Sequence, residues 1–264
     1  MLTIRHMSTP AITFDHVAKN FGHVRAVDGV SLQVAEGEFL AVVGGSGSGK
    51  TTLLRMANRL IDPDAGTITI HGQDTQTTDP IALRRSIGYV FQSAALFPHM
   101  SVAQNIGITP RLLNHSAAQI ADRVNELMDM VQLDRAQYRD RRPGELSGGQ
   151  RQRVGLARAL AAKPDIVLMD EPFGALDPIT RDALGNDYKS LHDRLGLTTV
   201  MITHDMAEAL LLADRVAVMQ SGKIVAQGDA AELERSQDDY VRDLLRTPRR
   251  QAAQLQSLLS GKAS

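Results

Sequence analysis

The sequence predicts an α/β protein whose main sheet is largely parallel, with an antiparallel β-subdomain near the amino end and an inserted α-helical lobe. Three observations predict this class. Short strand-like runs dominate the first part of the chain, helical patterns replace them over residues 93–147, and buried strands then alternate with helices. With 264 residues, of which 43% are hydrophobic, we expect one main domain carrying the lobe.

The amino-terminal part shows the features of short strands. Alternation in "ITF" and "SLQV" predicts half-buried strands, and "FLAVV" predicts a buried one, with Gly29 and Gly37 marking turns. A helix-compatible segment follows the glycine-rich loop after "FLAVV". "GTITI" and "IGYVFQ" are two further strand candidates.

The lobe and the second half of the chain have different patterns. Within the lobe, apolar residues at helical spacing follow Ser116, a suitable N-cap. Beyond it, "GQRQRVGLARALAA" predicts a helix, while "DIVLMDEP" and "TTVMITHD" predict buried strands. "RVAVMQSGKIVAQG" predicts a hairpin turning at Ser221 and Gly222, with helices at about 181–195 and 206–213 separating the strands and a polar helical tail closing the chain.

Composition excludes several classes of protein. The absence of cysteine excludes disulfides, thiolate metal sites and cysteine nucleophiles, and the net charge of −1 without a basic stripe argues against a nucleic-acid partner. No apolar run approaches the roughly 18 residues of a membrane span, and the amino terminus lacks a signal-peptide core. We therefore expect a cytoplasmic protein, and any membrane crossing must come from another chain.

The glycine-rich loop of residues 44–51, here called the phosphate loop, fits the pattern G-x-x-x-x-G-K-[ST] between a predicted strand and a predicted helix. Its glycines let backbone N–H groups converge on an anion, and the helix amino terminus adds partial positive charge. The lysine reaches the β- and γ-phosphates, and the threonine hydroxyl can bind Mg²⁺. The residues predicted to bind nucleotide here are Gly44, Gly45, Ser46, Gly47, Ser48, Gly49, Lys50, Thr51 and Thr52.

Two acidic residues end the strand "IVLMDEP". Asp170 is placed to organise Mg²⁺, and Glu171 is placed to polarise an attacking water. An Asp-Glu pair can also be a simple strand-ending turn, and by itself the pair leaves both interpretations open. The phosphate loop in the same chain favours the catalytic one.

A second phosphate-compatible helix start occurs at residues 146–150, here called the signature turn, which comprises Leu146, Ser147, Gly148, Gly149 and Gln150. An ordinary N-cap would account for the serine but not for two glycines and a glutamine in this order.

In content and order, these motifs resemble those of the ABC (ATP-binding cassette) ATPases. Phe21 matches the aromatic that stacks on adenine, usually a tyrosine, and Gln92 matches the Q-loop glutamine. Asp177 matches the D-loop and His204 the switch histidine. The resemblance covers about residues 11–235, with the lobe at about 93–147, and leaves residues 1–10 as an extension and 236–264 as a short helical tail.

This resemblance implies a P-loop NTPase core of the RecA-like type that hydrolyses ATP with Mg²⁺. It implies catalytic roles for Glu171, His204 and Gln92, and Mg²⁺ contacts from Thr51, Gln92 and Asp170. The signature turn would act in trans on the ATP of a second cassette, in a homodimer or with a paired ABC ATPase.

Among ABC ATPases, the segments "SAALFPHMSVAQNI", "GALDPITR" and "THDMAEALLLADRVAVM" look most like importer subunits of the glycine betaine, choline, carnitine or proline uptake group. The resemblance then implies membrane permease subunits as partners, a substrate-binding protein, and a location on the inner face of the cell membrane. The alternatives are an exporter or lipoprotein-release ATPase, and a soluble ABC ATPase acting on nucleic acid or the ribosome.

Overall fold

The computed structural model describes residues 10–260, so the predicted extension lies outside the described residues except for Pro10. The strands are β1 (Pro10–Phe21), β2 (Val24–Ala35), β3 (Phe39–Val43), β4 (Ala65–Ile70), β5 (Gln73–Asp74), β6 (Ile87–Val90), β7 (Ile166–Asp170), β8 (Thr198–Thr203), β9 (Arg215–Gln220) and β10 (Lys223–Gly228). The helices are α1 (Lys50–Ala57), α2 (Pro80–Ser86), α3 (Val102–Ile106), α4 (Ile108–Leu112), α5 (Ala117–Met130), α6 (Arg135–Tyr138), α7 (Gly148–Ala159), α8 (Pro178–Leu195), α9 (Met206–Leu212), α10 (Ala230–Glu234) and α11 (Asp239–Leu259).

The strands of residues 10–260 form two sheets. An antiparallel four-stranded sheet has the order β2-β1-β4-β5, and a six-stranded sheet has the order β10-β9-β3-β8-β7-β6. In the larger sheet every neighbouring pair from β9 to β6 is parallel, and β10 joins as an antiparallel edge. The predicted α/β class with an antiparallel subdomain is confirmed.

The larger sheet is buried on both faces. Along β3, Phe39, Ala41 and Val43 belong to one hydrophobic cluster, whereas Leu40 and Val42 belong to the other. A strand covered on both sides has no polar face, which is why "FLAVV" is apolar without alternation.

Helices dominate the segment predicted as a lobe, from α3 onward. Ser101 and Ser116 begin α3 and α5 with capping boxes: each serine hydroxyl accepts the backbone N–H of the glutamine three residues on, and each serine N–H donates to the side-chain oxygen of that glutamine. Val124, Leu127 and Met128 on α5 are buried in the same cluster as α7, so the lobe shares a core with the main sheet.

Three features differ from the expectations. Gly29 does not mark a turn but lies inside β2 with φ 63°, where the β1–β2 register shifts, so it occupies a bulge. Strand β6 ends at Val90, which leaves Gln92 in the loop beyond it. Helix α2 has no counterpart in the sequence prediction. This short helix buries one residue, Leu83, and therefore shows no apolar periodicity.

The hairpin between β9 and β10 turns at Ser221 and Gly222 as predicted, and both residues have positive φ. Across residues 10–260, no helix combines the length and the apolar character that crossing a bilayer requires.

Candidate active site

The candidate site lies where parallel strands β3, β7 and β8 end. Val43 pairs with Thr203, and Asp170 pairs with Ile202, so the loops that follow these strands begin at one level of the sheet. Ligands of open α/β sheets bind at this carboxyl edge. The phosphate loop, the acidic pair and His204 are therefore brought together by strand register.

The phosphate loop is closely packed against neighbouring backbone. Gly49 precedes α1 with φ 104°, and a Cβ there would lie 2.1 Å from the carbonyl oxygen of Ala26. A Cβ on Gly44 would lie 2.1 Å from the carbonyl oxygen of Met219. Only glycine fits at these two positions, and the loop is thereby held in its curled shape.

Lys50 is 5% exposed and points back into the phosphate loop. Its Nζ donates to the carbonyl oxygens of Gly44 at 2.8 Å and Gly45 at 2.9 Å. Burial lowers the pKa of Lys50, while the carboxylates of Glu171 and Asp170 act in the opposite direction. Lys50 Nζ also donates to Ser48 Oγ at 3.4 Å, and an ammonium bound only to such neutral oxygens can gain by transferring to phosphate oxygens.

Asp170 ends β7 beside the first turn of α1. The Thr51 hydroxyl donates to its Oδ1 at 3.3 Å, Tyr89 Oη lies 3.5 Å from Oδ2, and an Arg55 nitrogen lies 3.8 Å from the same atom. Burial raises the pKa of Asp170, and the Arg55 charge and the Thr51 hydrogen bond oppose that rise. Its carboxylate is thus positioned by three side chains.

The oxygen donors of Thr51 and Asp170 suit Mg²⁺, which takes one or two protein ligands and completes its shell with phosphate oxygens and water. Within the described part of the chain, no group of three or more His, Cys, Asp or Glu side chains could hold a metal by itself.

Glu171 lies between the two other predicted catalytic residues. Gln92 Nε2 donates to Glu171 Oε2 at 3.2 Å, and His204 Nδ1 lies 3.1 Å from the same oxygen. Glu171 has φ 45°, a left-handed conformation that costs a non-glycine residue about 1–2 kcal/mol, and its N–H donates to Ile202 at 2.9 Å. The structure thus brings together side chains from three separate segments of the chain around one carboxylate.

The signature turn caps α7. Ser147 accepts the Gln150 N–H through its side chain, and Gln150 Nε2 donates to Tyr138 Oη at 3.0 Å. Among residues 10–260, no hydrogen bond joins this turn to the phosphate loop of the same chain. Ser147 and Gly148 are exposed, which leaves them free to meet a second molecule.

Two further predicted residues are placed without a direct contact to the phosphate loop. Phe21 ends β1 and is 50% exposed, with Lys19 Nζ 5.7 Å from its ring centroid. Asp177 caps α8 by accepting the Thr180 N–H at 3.0 Å. The stacking of Phe21 on adenine and the match of Asp177 to the D-loop remain predictions.

Sequence reasoning missed helix-borne side chains that support the site. Arg55 approaches Asp170 from α1, and Arg181 on α8 donates to the Leu176 carbonyl at 3.2 Å and lies 3.7 Å from Asp205. Tyr240 on α11 contacts the phosphate loop. The helical spacing of Arg55 after Thr51 was an available signal, whereas nothing local marks Tyr240.

Comparisons with known proteins agree on one family. The family model described as ABC transporter matches residues 27–174. The choline transport ATP-binding protein OpuBA of Bacillus subtilis is 48% identical over 236 residues, covering 89% of this chain and 62% of that protein. The glycine betaine uptake system ATP-binding protein YehX of Escherichia coli is 49% identical over 232 residues, covering 88% and 75% respectively.

A sulfate/thiosulfate import ATP-binding protein, CysA of Methylococcus capsulatus, is also similar, with 47% identity over 227 residues, covering 84% of this chain and 64% of that protein. The chain spans about three fifths of the length of OpuBA and three quarters of YehX.

Among solved structures, a dimeric MJ0796 cassette bound to ADP and Pi matches with a TM-score of 0.74 at 33% identity, covering 83% of this chain and 98% of that one. The cbiO1 subunit from Clostridium perfringens matches with a TM-score of 0.79 at 28% identity, covering 92% and 97% respectively.

Proposed function

The chain belongs to the ABC transporter family, and from this premise we propose that it is the ATP-hydrolysing subunit of an osmoprotectant importer. The observation that carries hydrolysis is the position of Glu171, whose carboxylate meets Gln92 and His204 at the sheet edge that presents the phosphate loop. A carboxylate held there can polarise water toward a γ-phosphate.

The chain's own residues divide the work of phosphoryl transfer. Lys50 would leave the carbonyls of its loop for the β- and γ-phosphates, and the loop amides would hold the phosphate oxygens. Thr51 and Asp170, with Gln92 nearby, would hold Mg²⁺, which neutralises phosphate charge when bound. His204 would hold the γ-phosphate while Glu171 orients water, so catalysis rests on positioning and charge.

A second cassette would complete the site. Ser147 and Gly148 are exposed and make no hydrogen bond to the phosphate loop of their own chain, and related MJ0796 cassettes have been solved as dimers. Two chains related by a two-fold axis would each offer the signature turn to the nucleotide of the other. Loss of the γ-phosphate would then remove a contact shared by both subunits and reopen the pair.

The output of this cycle would be uptake through a separate membrane permease, with a binding protein delivering the solute and the ATPase on the inner face of the membrane. Relatives named for choline and for glycine betaine uptake support an osmoprotectant as the substrate. A sulfate or thiosulfate importer is the second candidate, because CysA is 47% identical to this chain. Export and action on ribosomes receive no support from these relatives.

Solute uptake in the native cell tests the proposal. Deleting the gene should abolish uptake of labelled choline, glycine betaine or carnitine at high osmolarity, while sulfate uptake continues. The unchanged gene should restore uptake, and Lys50→Ala, which removes the phosphate-binding ammonium, should not. Loss of sulfate uptake alone would favour the second candidate, and normal uptake of all four solutes would overturn importer function.

A further inference from the structure

The carboxy-terminal helix α11 contacts the phosphate loop. The Gly45 N–H donates to Tyr240 Oη at 2.7 Å, across 195 positions of sequence. A Cβ built on Gly45 would lie 3.4 Å from the same oxygen, so the phenol is in close contact with the loop. Tyr240 lies beyond the family match at residues 27–174 and beyond the motifs that carry the resemblance, none of which assigns it a role.

The helix that carries the Tyr240 phenol is anchored in the core. Val241 is fully buried and Leu245 is 8% exposed, and both belong to the hydrophobic cluster that covers β3. Asp238 caps the helix by accepting the Val241 N–H at 3.1 Å, and the Tyr240 ring packs against the same cluster. Tyr240 is half-buried and is therefore held against the edge of the core.

Gly45 is consequently restrained at both ends of its backbone. Its N–H is bound to Tyr240, while its carbonyl oxygen accepts from Lys50 Nζ at 2.9 Å. The second bond must break if Lys50 transfers to phosphate, whereas the first has no such reason to break. After that transfer, Tyr240 would remain to hold this part of the loop.

We propose that Tyr240 is a positioning residue that holds the first half of the phosphate loop in its nucleotide-accepting shape, and so makes α11 part of the nucleotide site. This inference rests on the proposed function, since it presumes that the loop binds ATP. Because binding couplings are reciprocal, a helix that strengthens nucleotide binding is itself stabilised when nucleotide binds.

The test removes one oxygen atom. Tyr240→Phe keeps the ring packing and deletes the acceptor of the Gly45 N–H. Dissociation constants for ATP and ADP should both rise about 2-fold to 10-fold, the range expected for one neutral hydrogen bond. Turnover at saturating ATP should stay unchanged, because Glu171, Gln92 and His204 are not touched.

Hydrogen exchange supplies a second measurement. Nucleotide should slow amide exchange in the first turns of α11 in the unchanged protein, and this effect should shrink in Tyr240→Phe. A purely structural tyrosine would change global stability without that nucleotide dependence.

Tyr188→Phe is the matched control. Tyr188 Oη lies 2.7 Å from Thr199 Oγ1 in the core, so its loss should lower stability and leave both dissociation constants unchanged. Unchanged or tighter nucleotide binding by Tyr240→Phe would overturn the inference alone. Failure of the unchanged protein to bind either nucleotide would overturn the proposed function, and the inference with it.

Discussion

Replacing Glu171 by glutamine separates nucleotide binding from hydrolysis. The substitution keeps the shape of the side chain, and a carboxamide oxygen can still accept one hydrogen bond from Gln92 or His204. What disappears is the negative charge and the capacity to take a proton from water. The backbone at φ 45° should persist, because the Glu171 N–H keeps its bond to Ile202.

The size of the effect follows from these losses. A positioned general base contributes about 10²- to 10⁴-fold, so turnover in Glu171→Gln should fall by that factor, which corresponds to about 3–5 kcal/mol of barrier. ATP affinity should hold or rise slightly, because the lost carboxylate carries the same sign of charge as the phosphates. Slow hydrolysis with intact binding should accumulate the closed dimer.

Two assays check this prediction. Single-turnover phosphate release with Mg²⁺ and ATP measures the chemical step, and sedimentation with ATP measures the dimer. Glu36→Gln is the control. Glu36 lies in an exposed turn where it faces His71, so this substitution should leave both readouts unchanged. Phosphate release within about 10-fold of the unchanged protein would refute the role assigned to Glu171.

Three further predictions concern the loop and the core. Lys50→Ala should weaken ATP binding about 10-fold to 100-fold, the value of a charge-assisted hydrogen bond, and an ATP affinity that stays the same in titration would contradict it. Gly49→Ala should cost at least about 2 kcal/mol of unfolding free energy in urea, because its Cβ meets Ala26, whereas Gly22→Ala, with positive φ but open space, should cost only about 1 kcal/mol. Burial lowers the pKa of His192 in the folded protein, so as the pH falls the unfolded chain is protonated at this residue before the folded one. The free energy of unfolding should therefore fall as the pH drops below about 6.5. In urea titrations at about pH 7.5 and about pH 5.5, His192→Gln should reduce this pH dependence.

The parts of the fold that sequence predicts are those determined by local chemistry. The apolar run of β3, the serine caps and the hairpin at Ser221 and Gly222 each depend on neighbours within a few positions. The Gly29 bulge and helix α2 depend instead on contacts with distant parts of the chain. The bulge arises from how β2 pairs with β1, and α2, although Asp79 caps it locally, is held in place by the contact of Leu83 with the core. Such pairings and packing contacts leave no periodic mark on the sequence.

In the candidate site, too, residues at strand ends are predictable from the sequence and residues within helices are less so. Asp170 is the last residue of a buried apolar strand, and Glu171 and His204 come directly after such strands, so the end of each strand pattern marks them in the sequence. Arg55 and Tyr240 lie inside helices and reach the site through the packing of those helices; the spacing of Arg55 after Thr51 is its one local signal, and nothing in the neighbouring residues marks Tyr240. Sequence reasoning therefore finds the groups proposed to do chemistry and misses those that orient them.

Strand-end residues and helix-borne contacts should behave differently during a catalytic cycle. The strand-end residues are fixed by the register of a sheet buried on both faces, and that register cannot shift without exposing the core. The helix-borne ion pairs, such as Arg55 to Asp170 and Arg181 to Asp205, are single contacts, each of which can break at a cost of about 1 kcal/mol. Adjustments between nucleotide states should therefore occur at these helix contacts, while the strand ends stay in place.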